Sequence, residues 1–111
     1  LQLTAGVGVN PSSVAVGRID ADLQPDIVVS NRGTPGNVAN DTVSVLLVAN
    51  PGAGTFATSA TVSVGVGDEP ADVIVADLDA DGILDIATAN AGSDSISIGW
   101  NAGAGTGPGW T

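Results

Sequence analysis

Short runs with apolar side chains at every second position recur along this chain, and no stretch carries a convincing helical period. Leu1, Leu3, Ala5 and Val7 fall on one face of such a run. Val43-Ser44-Val45 and Ile96-Ser97-Ile98 alternate in the same way, as expected for strands that bury one side. The pattern predicts strands near residues 1–8, 13–18, 26–30, 42–49, 60–66, 72–77, 85–89 and 95–100. Pro11 and Pro70 begin the turns before the second and sixth of these.

The pattern is written twice. Residues 1–30 align without a gap on residues 60–89, at an offset of 59. Pro11-Ser12-Ser13-Val14-Ala15-Val16 matches Pro70-Ala71-Asp72-Val73-Ile74-Val75, and Asp26-Ile27-Val28-Val29-Ser30-Asn31 matches Asp85-Ile86-Ala87-Thr88-Ala89-Asn90. The offset then falls to 53, because the stretch from Asn31 to Asp41 is six residues longer than that from Asn90 to Asp94. Asp41-Thr42-Val43-Ser44-Val45 matches Asp94-Ser95-Ile96-Ser97-Ile98, and Gly52-Ala53-Gly54-Thr55 matches Gly103-Ala104-Gly105-Thr106. Two units follow, residues 1–59 and residues 60–111, each read as four strands. The insert 32–40 is a loop extension of the first unit.

Composition narrows the chemistry. The 111 residues suit one small domain, 43% hydrophobic but only 3% aromatic, so its core is built from Val, Ile, Leu and Ala. The net charge is −10, with Arg18 and Arg32 as the sole cationic side chains, which argues against nucleic acid and anionic membrane surfaces as partners. No apolar run approaches membrane-spanning length, so membrane insertion is not expected. His, Cys, Lys and Tyr are all missing, which removes the usual nucleophiles, bases and proton donors of neutral-pH catalysis. The chain is therefore not expected to be an enzyme.

One stretch gathers the negative charge. Residues 77–85 read Asp-x-Asp-x-Asp-Gly-x-x-Asp, placing Asp77, Asp79, Asp81 and Asp85 at positions 1, 3, 5 and 9 of a loop. Gly82 turns the chain back sharply, and the Ile83 carbonyl fills the gap between the third and fourth carboxylates. An all-oxygen set of this kind suits calcium, a hard cation that takes six to eight oxygens. Position 12, where an EF-hand loop carries its bidentate acid, is Thr88, and both flanks are too short and β-branched for helices. The loop therefore joins two strands. In the first unit Asp20, Asp22 and Asp26 remain, but Arg18 stands at the first ligand position and Leu23 replaces the glycine. Either the Arg18 guanidinium lies among the three carboxylates and stands in for the ion, or Arg18 swings out and leaves a weak calcium site.

From 70 to 86 the chain reads Pro-x-x-Val-x-Val-x-Asp-Leu-Asp-x-Asp-Gly-x-x-Asp-Ile, and from 42 to 56 Thr-Val-Ser-Val-Leu-Leu followed by a Gly-x-Gly-Thr-Phe turn. These residues resemble the FG-GAP/VCBS repeats of integrin-like β-propellers, in which a calcium loop links the first two strands of a blade. The resemblance covers nearly the whole chain. It implies an all-β fold of two antiparallel four-stranded propeller-like blades, calcium as the bound ion, and an extracellular or cell-surface structural or adhesive role. Propeller lectins similar to this family bind carbohydrate between blades, so Trp100 and Trp110 are candidate glycan or subunit contacts.

Two blades do not close a propeller. Residues 60–66 are expected to complete the sheet of the first unit, which leaves the second sheet one strand short and residues 1–8 without a sheet. A neighbouring copy's residues 1–8 would fill the vacancy beside 95–100 by strand addition, giving a head-to-tail homo-oligomer, ring or filament. The alternatives are a propeller-type lectin or a fragment of a larger surface protein.

Overall fold

In the computed structural model the described residues are 4–20, 22–49 and 57–103. They form seven antiparallel strands: β1 (Pro11–Gly17), β2 (Asp26–Asn31), β3 (Thr42–Ala49), β4 (Ala57–Gly65), β5 (Pro70–Ala76), β6 (Asp85–Asn90) and β7 (Ser95–Gly99). One sheet runs β1-β2-β3-β4 and the other β5-β6-β7. The strand that opens the second unit, β4, completes the sheet of the first by pairing with β3 from Thr42↔Gly65 to Ala49↔Ala57. The second sheet has three strands rather than four among the described residues.

The strand expected at residues 1–8 does not form over the described residues Thr4–Gly8. Thr4–Val7 carry no regular structure, and Leu1–Leu3 lie outside the described residues. A strand exists only where a ladder accepts it. The outer edge of the first sheet is already taken by β4, and the edge at β7 belongs to the other unit. The insert, expected to be plain loop, contains a 3-10 turn at Val38–Asn40, where the Asn37 side chain accepts from the Ala39 N–H. No helix among the described residues is long and apolar enough to cross a membrane.

The two units share detail below the level of strands. Pro11 and Pro70 each begin an innermost strand, where a missing N–H is tolerated, and each is followed by the same register shift. Asn31 Nδ2 donates to Ser44 Oγ (2.9 Å) and Thr42 Oγ1 (3.2 Å), and Gly8 N–H donates to Ser44 Oγ. Asn90 repeats this with Ser97 Oγ (2.9 Å), Ser95 Oγ (3.2 Å) and the Gly67 N–H. A side chain on Gly8 or Gly67 would run into Asn31 or Asn90, so both glycines are fixed by close approach. The copies differ at one hydroxyl. Thr88 Oγ1 donates to Asn90 Oδ1 at 3.0 Å, whereas its counterpart Val29 has nothing to donate, and the buried Asn31 Oδ1 is left without a donor. Val29→Thr is expected to stabilise the protein by about 1 kcal/mol, read as a higher urea midpoint at constant slope. An unchanged or lower midpoint would show that Asn31 Oδ1 is already satisfied.

The core lies between the sheets. Val28, Val43, Val45 and Leu47 of the first sheet pack with Val73 and Ile86 of the second and with Ile19, while Ala15, Val66, Val75 and Leu84 close the margin. Polar links cross the same junction. Ser12 Oγ donates to the Pro70 carbonyl (2.7 Å) and Ser13 Oγ to Asp72 Oδ1 (2.5 Å).

Candidate metal centre

The β5–β6 connection leaves the second sheet at Ala76 and re-enters it at Asp85. Asp85 is buried, and both of its oxygens clamp backbone: Oδ2 accepts from the Leu78 N–H and Oδ1 from the Asn101 N–H, each at 2.9 Å. The other acids hold the turn itself. Asp77 Oδ1 and Oδ2 accept from the Asp81 and Gly82 N–H groups (3.1 and 2.9 Å), Asp79 Oδ1 accepts from Asp81, and Asp81 Oδ1 accepts from Ile83. Gly82 has φ +90° with open space where a Cβ would stand, so its role is the dihedral and not clearance. Ala80 is also left-handed, at φ +64°.

This folding brings carboxylate oxygens of Asp77, Asp79 and Asp85 within 4.8 Å of one another, close enough to share one ion. Asp81 stands outside that group. Among the described residues no cationic side chain enters the loop. The Asp79 carboxyl sits above the usual carboxylate range, raised first by desolvation and then by the charges of Asp81, Asp85 and Asp77. An all-oxygen, anionic and backbone-braced set fits a hard divalent cation.

The first loop is built on the same bonds. Asp26, fully buried, accepts from the Ile19 N–H (2.8 Å) and Asp20 N–H (3.4 Å) through Oδ2 and from the Val48 N–H (2.9 Å) through Oδ1. Asp20 Oδ1 and Asp22 Oδ1 accept from Asp22 and Gln24, as Asp79 and Asp81 accept from Asp81 and Ile83. Oxygens of Asp20, Asp22 and Asp26 also lie within 4.8 Å of one another. Arg18 does not fill this cluster: it is exposed and makes no ion pair among the described residues. Water satisfies the guanidinium at no cost in rotamer freedom, which amounts to about 2 kcal/mol for Arg. What Arg18 removes is the carboxylate that in Asp77 ties down two loop N–H groups.

Sequence reasoning missed Asn101. It is buried two residues beyond β7, and its Nδ2 donates to the Ile19 carbonyl of the first unit (2.8 Å) and the Leu84 carbonyl of the second (3.1 Å). The Gly52–Gly103 match, at an offset of 51, aligns it with Asn50, so the repeated Asn-x-Gly-Ala-Gly-Thr was the signal that could have found it, while its N–H stands where that of Val48 does in the first unit. Trp100, beside it, is exposed, while Trp110 lies outside the described residues.

A second acidic contact lies at the opposite ends of the strands. Asp41 is buried, with Oδ2 accepting from the Glu69 N–H (3.3 Å) and Oδ1 lacking a donor. The hydrogen-bonding contact with Asp41 raises the Asp68 carboxyl, aided by desolvation and the nearby charges. Asp20 is raised too, by desolvation and by Asp26 and Asp22. A carboxyl raised in the fold binds its proton more tightly there, so its contribution is full below the ordinary carboxylate value and lost as pH rises through the raised one. Asp72, lowered by the Ser13 hydroxyl and the Val73 N–H, loses its contribution only as pH falls below the ordinary value. Chelator-treated protein is therefore expected to melt higher as pH falls from neutral towards about 4.5, just above the ordinary carboxylate range. In Asp68→Asn that slope should be shallower. A melting temperature that falls steadily over the same interval would contradict the assignment.

No curated protein and no solved structure matches the chain. The model of a family described as FG-GAP-like repeat matches residues 19–88, from the first acidic loop through most of β6. With well over half of the chain inside that match, and both acidic loops within it, the protein belongs to the FG-GAP-like repeat family.

Proposed function

We propose that this chain is a calcium-stabilised structural or adhesive repeat module of the extracellular or cell-surface environment, which assembles head to tail with copies of itself. The observation that carries the calcium reading is the convergence of Asp77, Asp79 and Asp85 oxygens on one point in a loop with no cationic side chain among the described residues. Asp77, Asp79 and Asp85 would hold the ion, with Asp81 and the Ile83 carbonyl completing the set. The ion would supply the positive charge that the clustered carboxylates of Asp77, Asp79 and Asp85 lack. Through Asp85 it steadies the Asn101 N–H, and so the segment that joins the two units. The first loop keeps three carboxylates but not the first ligand, and takes calcium more weakly or not at all. Residues 1–8, whose described part Thr4–Gly8 forms no strand beside its own sheets, suit addition to a neighbour's β7. Exposed Trp100 is what supports the second reading, a carbohydrate-stacking lectin.

Extracellular sites of this kind often have Kd of ~10⁻⁴–10⁻³ M. At calcium about 100-fold above Kd, the folded state is expected to gain roughly 2.7 kcal/mol. Melting with calcium and with chelator measures the gain, and Asp79→Ala should abolish it. Wild-type melting that ignores both treatments would remove calcium from the account.

A further inference from the structure

We propose that the outward face of the second sheet, around Ile74, Ile96 and Ile98, docks a second copy of this chain through the outer face of that copy's first sheet, around Val14 and Val16. The inference rests on the self-assembly reading above and names its surface.

The argument is the internal repeat applied to burial. Within the chain, one face of the first sheet meets one face of the second. Val43 and Val45 lie on the first of these faces and Val73 and Ile86 on the second, all of them buried. By the offset of 53, Val43 and Val45 correspond to Ile96 and Ile98; by the offset of 59, Ala15 corresponds to Ile74 and Val73 and Val75 to Val14 and Val16. The counterparts have the opposite fate. Val43 and Val45 are 0% exposed, but Ile96 is 73% exposed; Val73 is 4% exposed, but Val14 is 63% exposed. The second sheet thus leaves an apolar face uncovered, and on the outer face of the first sheet Val14 and Val16 of β1 are uncovered while Val29, Ser44 and Leu46 on that same face are buried. The register keeps the uncovered residues together, because Ile74 pairs with Ala87, Ala87 with Ile98, and Ala89 with Ile96. Between them lies an open groove of about 290 Å³ lined by Ile74, Ala87, Ala89 and Ile96 with the Asp72 side chain at its edge.

The surface known to fit a face of this pattern is the Val73–Val75–Ile86 face, and its repeat counterpart is the exposed Val14–Val16 face of the same chain. A second copy therefore continues the interface already formed inside the first. The two surfaces differ, so the contact is head-to-tail and either closes into a ring or runs on. The net charge of −10 opposes association, and added salt should strengthen it.

The test is sedimentation of the 111-residue chain in calcium, from micromolar to near-millimolar concentration. A mass that rises above the monomer with concentration is expected. Ile96→Lys and Val14→Lys should each be monomeric where the wild type is assembled, with unchanged melting because both positions are exposed. Mixed in equal amounts, the two variants should form a dimer and nothing larger, since each retains the face the other has lost. A wild type that stays monomeric throughout overturns the proposal and leaves these faces to units on a longer chain. A mixture that stays monomeric overturns it too. So does an assembly that survives Ile96→Lys but dissolves when residues 1–8 are removed, which would assign it to strand addition. The calcium reading is checked on the monomeric Ile96→Lys chain by its melting shift alone, so the two fail separately.

Discussion

Asp26→Ala is expected to cost about 2–6 kcal/mol, because it strips the acceptor from two buried N–H groups at about 1–3 kcal/mol each. The groups are those of Ile19 and Val48, held by opposite oxygens of the one carboxylate at 2.8 and 2.9 Å. Both residues are buried, so water has no ready route to them. A small domain holds only about 5–15 kcal/mol in total, and the variant is expected to be largely unfolded at room temperature. Urea denaturation measures the effect. Asp26→Asn keeps one acceptor oxygen and turns an amide donor towards the other N–H, so it should recover only part of the loss. The effect should persist in chelator, because the clamp is made of protein alone. A loss under about 1 kcal/mol, the net value of a single ordinary hydrogen bond, would mean that the freed N–H groups find other acceptors.

Asn101→Ala is expected to cost about 2–4 kcal/mol, from one buried and one half-buried carbonyl left without their donor. Its Nδ2 reaches Ile19 in the first unit and Leu84 in the second, and its Oδ1 accepts from Gly103, so one amide fastens the two repeats together. Ile19 gives its N–H to Asp26 and its carbonyl to Asn101. The two variants share this residue, and their losses should fall short of additive in a double-mutant cycle. Asn101→Val, which puts there the side chain of the residue whose N–H the first unit clamps in the same way, should be as damaging as alanine. Amide exchange along β1 and β5 should quicken in Asn101→Ala, because the sheets would separate before either unfolds. A variant as stable as wild type would assign the joint to apolar packing alone.

Much of this fold was legible in the chain. Alternation placed β3, β6 and β7 within a residue or so, and the duplicated motif showed that β4, although it opens the second unit, completes the first sheet. Local chemistry suffices for such features. A two-residue period, a proline at a strand's first position and a glycine at positive φ act over a few neighbours, and the acidic loop needs only its own spacing to gather its carboxylates. The strand expected at 1–8 did not form over Thr4–Gly8, because a strand also needs an edge to pair with.

What only the tertiary structure decided is which of two equivalent positions meets another part of the chain. Val45 and Ile98 stand at the same place in the same alternating strand, yet Val45 is buried by the second sheet and Ile98 faces outward. Asp26 and Asp85 read from the sequence as ligands like their neighbours, but each is the buried member of its cluster and the clamp on its unit's third strand or the residues just beyond it. Arg18 read either as a substitute cation or as a side chain swung out to solvent, and it is exposed. Asn101 read as nothing and joins the units. Sequence sets what a residue offers through its type and its near neighbours. Burial and long-range partners depend on which sheet arrives opposite, and with two units in hand the fold supplies that sheet to one face of each and leaves Val14, Val16, Ile74, Ile96 and Ile98 exposed on the others.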